Sequence, residues 1–127
     1  MTISRFSLLA LCASAAHADP VLTPSGQQAT LYDVVLEPDV GIARFRYLTP
    51  AIDPAGQGLT HDDLVGDFIW LCETFAIPGL VAAGKSAAHV IITFSDRAVE
   101  FGASDPAATQ FIEAYSVNGA TCIWDEF

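Results

Sequence analysis

Residues 60–77 read THDDLVGDFIWLCETFAI and form the one long stretch of the chain with the clear periodicity of an amphipathic helix. Six of its side chains recur at the i, i+3/i+4, i+7 spacing of a core-facing stripe: Leu64, Val65, Phe68, Leu71, Cys72 and Phe75. Thr60 and Asp63 predict a capping box, with aspartate in place of glutamate, and Pro78-Gly79 predicts that the helix ends at Ile77. The fold is therefore predicted to be built around this helix.

The amino terminus, MTISRFSLLALCASAAHA, has the features of a secretory signal peptide over residues 1–18. A single cation, Arg5, precedes an apolar run, and Ala16 and Ala18 supply the small side chains that a signal peptidase requires. The run is too short to span a bilayer core of about 30 Å, and no later stretch is expected to cross a membrane. We therefore expect cleavage at Ala18-Asp19 and delivery to the periplasm or the exterior.

Cleavage would leave 109 of the 127 residues, a length that fits one domain with one modest core. Cys12 would be lost, so Cys72 and Cys122 would remain. An even number of cysteines in an exported chain predicts a disulfide. The alternatives are two free thiols or a metal-binding pair. A Cys72–Cys122 bridge would tie the helix to the end of the chain.

The regions on either side of the helix carry β patterns. Residues 19–28 are rich in turn formers and lack periodicity, which predicts a flexible leader before a single domain over residues 29–127. Residues 30–37 (TLYDVVLE) and 42–49 (IARFRYLT) then predict an antiparallel hairpin. Because the second segment alternates apolar residues with arginines, one side of this hairpin is expected to face solvent.

Four further strands are predicted after the helix. Residues 89–95 (HVIITFS) predict a central strand, and residues 98–101 a short partner. The strongest hairpin pattern centres on Asn118-Gly119, although residues 105–115 also fit a helix that begins at Pro106. The predicted fold class is α+β, an antiparallel sheet of about five to six strands packed against one main helix, with one disulfide.

A two-residue turn at Asn118-Gly119 would place Tyr115 opposite Cys122, and Glu113 opposite Trp124. In that register Cys122 shares a face with the apolar residues of the hairpin. The disulfide requires this face to look toward the helix. The helical and the β patterns therefore predict the same packing.

The chain is strongly acidic, with a net charge of −10. Few cations remain after cleavage, so neither a nucleic acid nor an anionic membrane surface is expected as a partner. The acidity is consistent with a cationic partner or simply with a self-repelling, soluble surface. The basic residues beyond the signal peptide are Arg44, Arg46, Lys85 and Arg97.

Common catalytic motifs are missing from the sequence: there is no G-x-S-x-G, CxxC, HExxH or glycine-rich phosphate loop. His61, Asp62, Asp63 and Asp67 contain ligand atoms for a metal, but a helix spreads them around its axis. We interpret them as charges at a helix amino terminus. We therefore expect the protein to bind no metal and no cofactor and to have no enzymatic activity.

Two residues stand out from these patterns. Trp70 lies about 200° around the helix from Phe68, opposite the apolar stripe, with Gly66 one turn earlier. Either another layer of the chain covers Trp70, or Trp70 and Gly66 contact a partner.

Glu113 lies on an otherwise apolar face, where Arg44, Arg46 or Arg97 could form an ion pair with it. The alternative is a ligand site or catalytic acid.

The segments VIITFSDRAVEFG, DPAATQFIEAY and TCIWDEF resemble an uncharacterised family of small exported alphaproteobacterial proteins. The resemblance covers roughly the carboxy-terminal third, with Cys72 as a looser match upstream. It implies export and the disulfide, and it implies no activity. The matching residues are Ser95, Asp96, Arg97, Phe101, Gly102, Glu113, Tyr115, Cys122 and Trp124.

These observations predict a non-catalytic periplasmic or secreted domain that binds or modulates another envelope or secreted protein. The alternative is a small periplasmic enzyme or small-ligand binder whose site lies around the carboxy-terminal hairpin at Glu113, Arg97 and Tyr115. An enzyme requires a concave pocket of converging polar groups. A binding domain requires an exposed patch, at Trp70 or along a sheet edge.

Overall fold

A computed structural model describes residues 4–5 and 18–125 of the chain. Most of the predicted signal peptide, residues 6–17, lies outside the described residues. Within the described part, the chain forms seven strands and one long helix, α1, over Asp62–Ala82. The strands are β1 (Ser4–Arg5), β2 (Val21–Leu22), β3 (Gln28–Glu37), β4 (Ile42–Leu48), β5 (His89–Ser95), β6 (Gln110–Asn118) and β7 (Thr121–Trp124).

The sheet is mixed, which corrects the prediction of a purely antiparallel sheet. Six strands follow one another in the order β1-β3-β4-β5-β6-β7, and β2 pairs with the start of β3. β4 and β5 are parallel, and the other pairs are antiparallel. A parallel pair needs a long crossover, and α1 supplies it between β4 and β5. The α+β class, the helix and the predicted strand β5 are confirmed.

The predicted partner strand at residues 98–101 does not form, because β6 occupies the edge of β5 along its whole length. The loop between β5 and β6 instead covers the side of the β3–β4 hairpin that was predicted to face solvent. Arg46 is only 6% exposed there, and its guanidinium lies 5.5 Å from the centre of the Phe101 ring. Arg46 pairs with Asp33 at 2.8 Å, and Arg44 pairs with Glu37. This side of the sheet is therefore a covered layer of ion pairs.

Helix α1 begins with the predicted cap. The Asp63 carboxylate accepts hydrogen bonds from the Thr60 backbone N–H at 2.8 Å and from the Thr60 hydroxyl at 2.9 Å. These two bonds hold the pKa of Asp63 below its ordinary value. The aspartate therefore takes the part that a glutamate has in the usual capping box.

The helix continues past Pro78-Gly79, where it was predicted to stop. A π-helical segment over Cys72–Ala76 interrupts the α-helical pattern, and the Ile77 N–H donates to the Cys72 carbonyl five residues back. Pro78 consequently falls in the first turn of a new α segment, Ile77–Ala82, where the missing N–H is tolerated. The helix ends at Ala82, and Gly84 follows in the left-handed conformation (φ +68°) while the Lys85 N–H donates to the Leu80 carbonyl.

With 21 residues, α1 is long and apolar enough to cross a membrane by length and composition, contrary to the sequence-based expectation. A core helix meets the same test. One face of α1 lies against the sheet, where Leu64, Phe68 and Leu71 are fully buried. Phe68 stacks on Phe94 of β5 with ring centres 4.1 Å apart. The helix is thus the second layer of the core.

The predicted disulfide is confirmed: Cys72 in α1 is bonded to Cys122 in β7. The turn before β7 is Gly119-Ala120 rather than Asn118-Gly119, so Val117 pairs with Cys122, and Tyr115 with Trp124. This register differs from the predicted one by two residues, which leaves the same side chains facing the helix. The two-residue difference in register therefore changes neither the shared face nor the disulfide.

Three residues of the leader that was predicted to be flexible, Thr23, Ser25 and Gln27, form hydrogen bonds with the helix. Asp67 is 1% exposed and accepts four hydrogen bonds from the leader. Thr23 and Ser25 donate their hydroxyls at 2.6 Å, Ser25 donates its backbone N–H at 2.9 Å, and Gln27 its amide at 3.0 Å. Asp67 is therefore an internal anchor and not a surface charge of the helix.

Candidate functional site

A groove of about 260 Å³ lies between the first turns of α1 and the β6–β7 hairpin. We call it the helix–hairpin groove. The helix contributes one wall, and inward-facing residues of the two strands contribute the other. Its lining residues are His61, Asp62, Val65, Ile69, Glu113, Tyr115 and Trp124.

The walls of the groove are apolar and unusually exposed. Val65 and Ile69, one helical turn apart, are 55% and 38% exposed, and Trp124 is 57% exposed. Val65 was predicted to face the core, as was Phe75, which is 40% exposed. The predicted stripe is wider than the sheet can cover, so its margins remain at the surface. Three large apolar side chains therefore meet at one concave site.

The polar end of the groove is built on Glu113. One carboxylate oxygen lies 2.6 Å from His61 Nε2, and the other accepts the indole N–H of Trp124. The His61 ring packs between Phe68 and Phe111, at centre distances of 5.5 and 5.8 Å. These contacts fix both the imidazole and the indole relative to the carboxylate.

Tyr115 lines the same groove beside Glu113. Burial raises the pKa of the Tyr115 hydroxyl, and the carboxylates of Glu113 and Glu73 raise it further. The phenol is therefore protonated throughout the physiological pH range. No hydrogen bond to this hydroxyl is made by the residues described, so it can serve a guest as donor or acceptor.

The structure brings Glu113 and Tyr115 together but leaves Arg97 apart. Arg97 lies in the turn that follows β5, where its guanidinium is 3.2 Å from the Asp96 carboxylate. Glu113 pairs with Ile92 in the middle of β5, well before that turn. The residue that accompanies Glu113 is consequently His61 and not an arginine.

Trp70 and Gly66 lie outside the helix–hairpin groove. Trp70 is half-buried, packs against the core and contacts Phe75 edge-on, with ring centres 5.4 Å apart. Gly66 is exposed, and a side chain there would meet no atom within 4 Å. Much of the Trp70 surface is therefore covered by the chain itself, whereas Trp124 is the more exposed indole.

A second polar cluster joins His89, Ser116 and Asp125. Asp125 accepts the Ser116 hydroxyl and lies 3.0 Å from His89 Nδ1. The Ser116 bond, with a smaller contribution from His89, lowers the pKa of Asp125. A nucleophilic serine must bond to the histidine that takes its proton. Here the carboxylate separates the two, so the cluster stabilises the end of β7 and does not form a catalytic triad.

The sequence predicted that Glu113 and Tyr115 belong to one site. It did not predict that His61 and Trp124 belong to that site as well. His61 precedes the helix, and only the fold places it beside β6. For Trp124 the sequence did carry a pattern, since it shares the Cys122 face of β7. Across residues 4–5 and 18–125, no group of three or more His, Cys, Asp or Glu side chains could hold a metal ion.

Comparison with known proteins adds a family but no activity. No curated protein matches the chain, and no solved structure does. A family model matches residues 7–127, which is nearly the whole sequence. The chain belongs to a protein family of unknown function, DUF6497.

Proposed function

We propose that the protein is a non-catalytic domain that binds another protein through the helix–hairpin groove. The observation that supports this most strongly is the convergence of Val65, Ile69 and Trp124, all partly exposed, around one carboxylate. Burying a large apolar side chain is worth about 1.5–3 kcal/mol, so a partner that covers these three would gain appreciable free energy. Exposed tryptophans in such settings are frequent anchors of protein interfaces.

The size of the groove favours a side chain over an enclosed substrate. Pockets that bind small molecules are typically about 300–1,000 Å³ and surround most of the ligand. The helix–hairpin groove has about 260 Å³, and one of its walls is the half-exposed Trp124. Such a volume suits one or two side chains that protrude from a partner.

We also propose that the protein acts in the periplasm or outside the cell, after cleavage at Ala18-Asp19. The disulfide supports this, because such bonds persist in oxidising compartments. The partner is then another envelope or secreted protein. Its binding surface is expected to carry positive charge, since this chain has a net charge of −10.

The alternative function is a small-ligand binder or enzyme at the same groove. It is favoured by the His61–Glu113 pair, because a carboxylate that orients an imidazole is a common arrangement for acid–base catalysis. Against it, Tyr115 is held protonated, and the Ser116 hydroxyl bonds to a carboxylate. No activated nucleophile thus accompanies the pair within the described structure.

Neighbouring residues of β7 provide a matched test of the proposed function. Ile123 and Trp124 are 49% and 57% exposed, and they point to opposite faces of the strand. Trp124→Ala should weaken capture of the native partner at least about 30-fold, equivalent to a hot spot of about 2 kcal/mol. Ile123→Ala should leave capture unchanged. Both melting temperatures should remain close to that of the unaltered protein.

The assay is capture of host proteins by the immobilised variants, followed by Kd measurement with the protein that is recovered. Loss of capture by both variants would indicate general disruption of β7. Equal capture by both would exclude Trp124 as an anchor, and the proposed function would then be wrong.

A further inference from the structure

The helix–hairpin groove carries negative charge that the arginines of this chain do not neutralise. Asp62 is exposed at its rim, and Glu113 forms its polar end. Neither carboxylate forms an ion pair with an arginine or lysine in the part of the chain that the structure describes. The arginines of the folded domain lie elsewhere and are paired with Glu37, Asp33 and Asp96.

We infer that the groove binds an arginine side chain of the partner protein; this inference rests on the proposed function. The guanidinium lies between the Asp62 and Glu113 carboxylates. Glu113 can accept it without losing its present contacts, because a carboxylate has about four lone-pair positions and only two are occupied by His61 and Trp124.

The remaining walls match the rest of an arginine side chain. The methylene groups of the stem pack on Val65 and Ile69, which are otherwise exposed to water. The guanidinium stacks beside the Trp124 indole, whose orientation is already fixed by its hydrogen bond to Glu113. A planar guanidinium makes paired bonds to carboxylates and stacks on rings, which a lysine ammonium does less well. The groove thus offers a site for each part of the side chain.

The indole N–H of Trp124 provides a direct readout of this site. In ¹H–¹⁵N spectra of the ¹⁵N-labelled chain, its resonance is identified by its loss in Trp124→Phe. Nα-acetyl-arginine amide should shift this resonance in a saturable manner, and the neutral isostere Nα-acetyl-citrulline amide should not. Raising the ionic strength from 20 to about 300 mM should weaken the arginine titration, since salt screens exposed charges.

Carboxylate variants test the electrostatic part. Asp62→Asn should raise the Kd for the arginine probe about two- to fivefold, the range expected for an exposed ion pair. Glu100→Gln removes the same charge from an exposed position in the loop after β5 and should leave the Kd unchanged. The backbone spectrum of each variant reports whether the fold is preserved.

The inference is overturned if the citrulline probe shifts the resonance as strongly as the arginine probe. It is equally overturned if the two carboxylate variants behave alike, or if Nα-acetyl-lysine amide binds more tightly than the arginine probe. Should the arginine probe fail while Trp124→Ala still abolishes capture, the proposed function stands and the inference does not. Should the probe bind while Trp124→Ala leaves capture intact, the site serves small cations and the docking role is excluded.

Discussion

Replacing Cys72 and Cys122 together by serine is expected to lower the free energy of unfolding by about 2–5 kcal/mol. The bridge closes a loop between residues separated by 50 positions, for which the chain-entropy model gives about 4 kcal/mol. Because small domains are stable by only about 5–15 kcal/mol, this is a large share of the total. Urea unfolding of the double variant and of the oxidised protein measures the difference.

The control for this prediction is the unaltered protein after reduction, which should unfold at nearly the same urea concentration as the double variant. Titration of the oxidised protein under denaturing conditions should find no free thiol other than that of Cys12, if that residue is still present. Free thiols at Cys72 and Cys122, or an unchanged unfolding midpoint in the double variant, would show that the disulfide does not stabilise the fold.

The bridge also supports the candidate site. It joins α1 to β7, the strand that carries Trp124, and the Cys122 N–H donates to the Glu73 carboxylate at 2.9 Å. Glu73 thereby occupies one backbone donor on the outer edge of β7, where an unpaired strand would otherwise invite another chain to pair. The double cysteine variant should therefore capture the partner more weakly than the unaltered protein, even under conditions in which its overall secondary structure is retained.

Asp67→Ala is expected to destabilise the protein by about 3 kcal/mol. The substitution removes the acceptor of four hydrogen bonds and leaves the Ser25 backbone N–H and the Gln27 side-chain amide without this partner, whereas the Thr23 hydroxyl keeps the Gln27 carbonyl at 3.2 Å. Each buried donor left unsatisfied costs about 1–3 kcal/mol, although the leader can partly recover by opening to water. Urea unfolding measures the loss of stability, and amide exchange should show the leader losing protection before the sheet.

Asp63→Ala is the matched control, because it removes an aspartate one turn earlier from the same helix. Asp63 is exposed and serves only the cap, so its loss should lower the free energy of unfolding much less than the loss of Asp67 does. Equal effects from the two substitutions would mean that Asp67 does not anchor the leader.

Much of this fold could be predicted from the sequence, because the spacing of residues within a single helix or strand determines which side chains cap it and which face the core. The cap at Thr60 and Asp63, the buried part of the α1 stripe and the apolar face of β4 each follow from spacing alone. The disulfide could also be predicted, because the expected loss of Cys12 leaves two cysteines and the matching faces bring Cys72 and Cys122 together. A register error of two residues did not disturb it, because side chains alternate with a period of two.

The remaining features depend on contacts between distant segments. Pro78 would end an ordinary helix, but the π segment before it resets the hydrogen-bond pattern. The polarity of Asp67 indicates a surface position, and only the returning leader makes its burial possible. Likewise, His61 meets Glu113 because the helix crosses β6, a relation that no spacing in the sequence encodes.

The most direct test of the helix–hairpin groove as a docking surface is photo-cross-linking in the native host. A photoreactive phenylalanine analogue replaces Val65, in the groove, or Ile112, on the opposite face of the sheet. The two positions are matched in exposure, at 55% and 58%. We expect a discrete adduct of one partner protein at Val65, absent at Ile112 and lost when Trp124→Ala is added. No adduct at Val65, or the same adducts at both positions, would contradict this expectation.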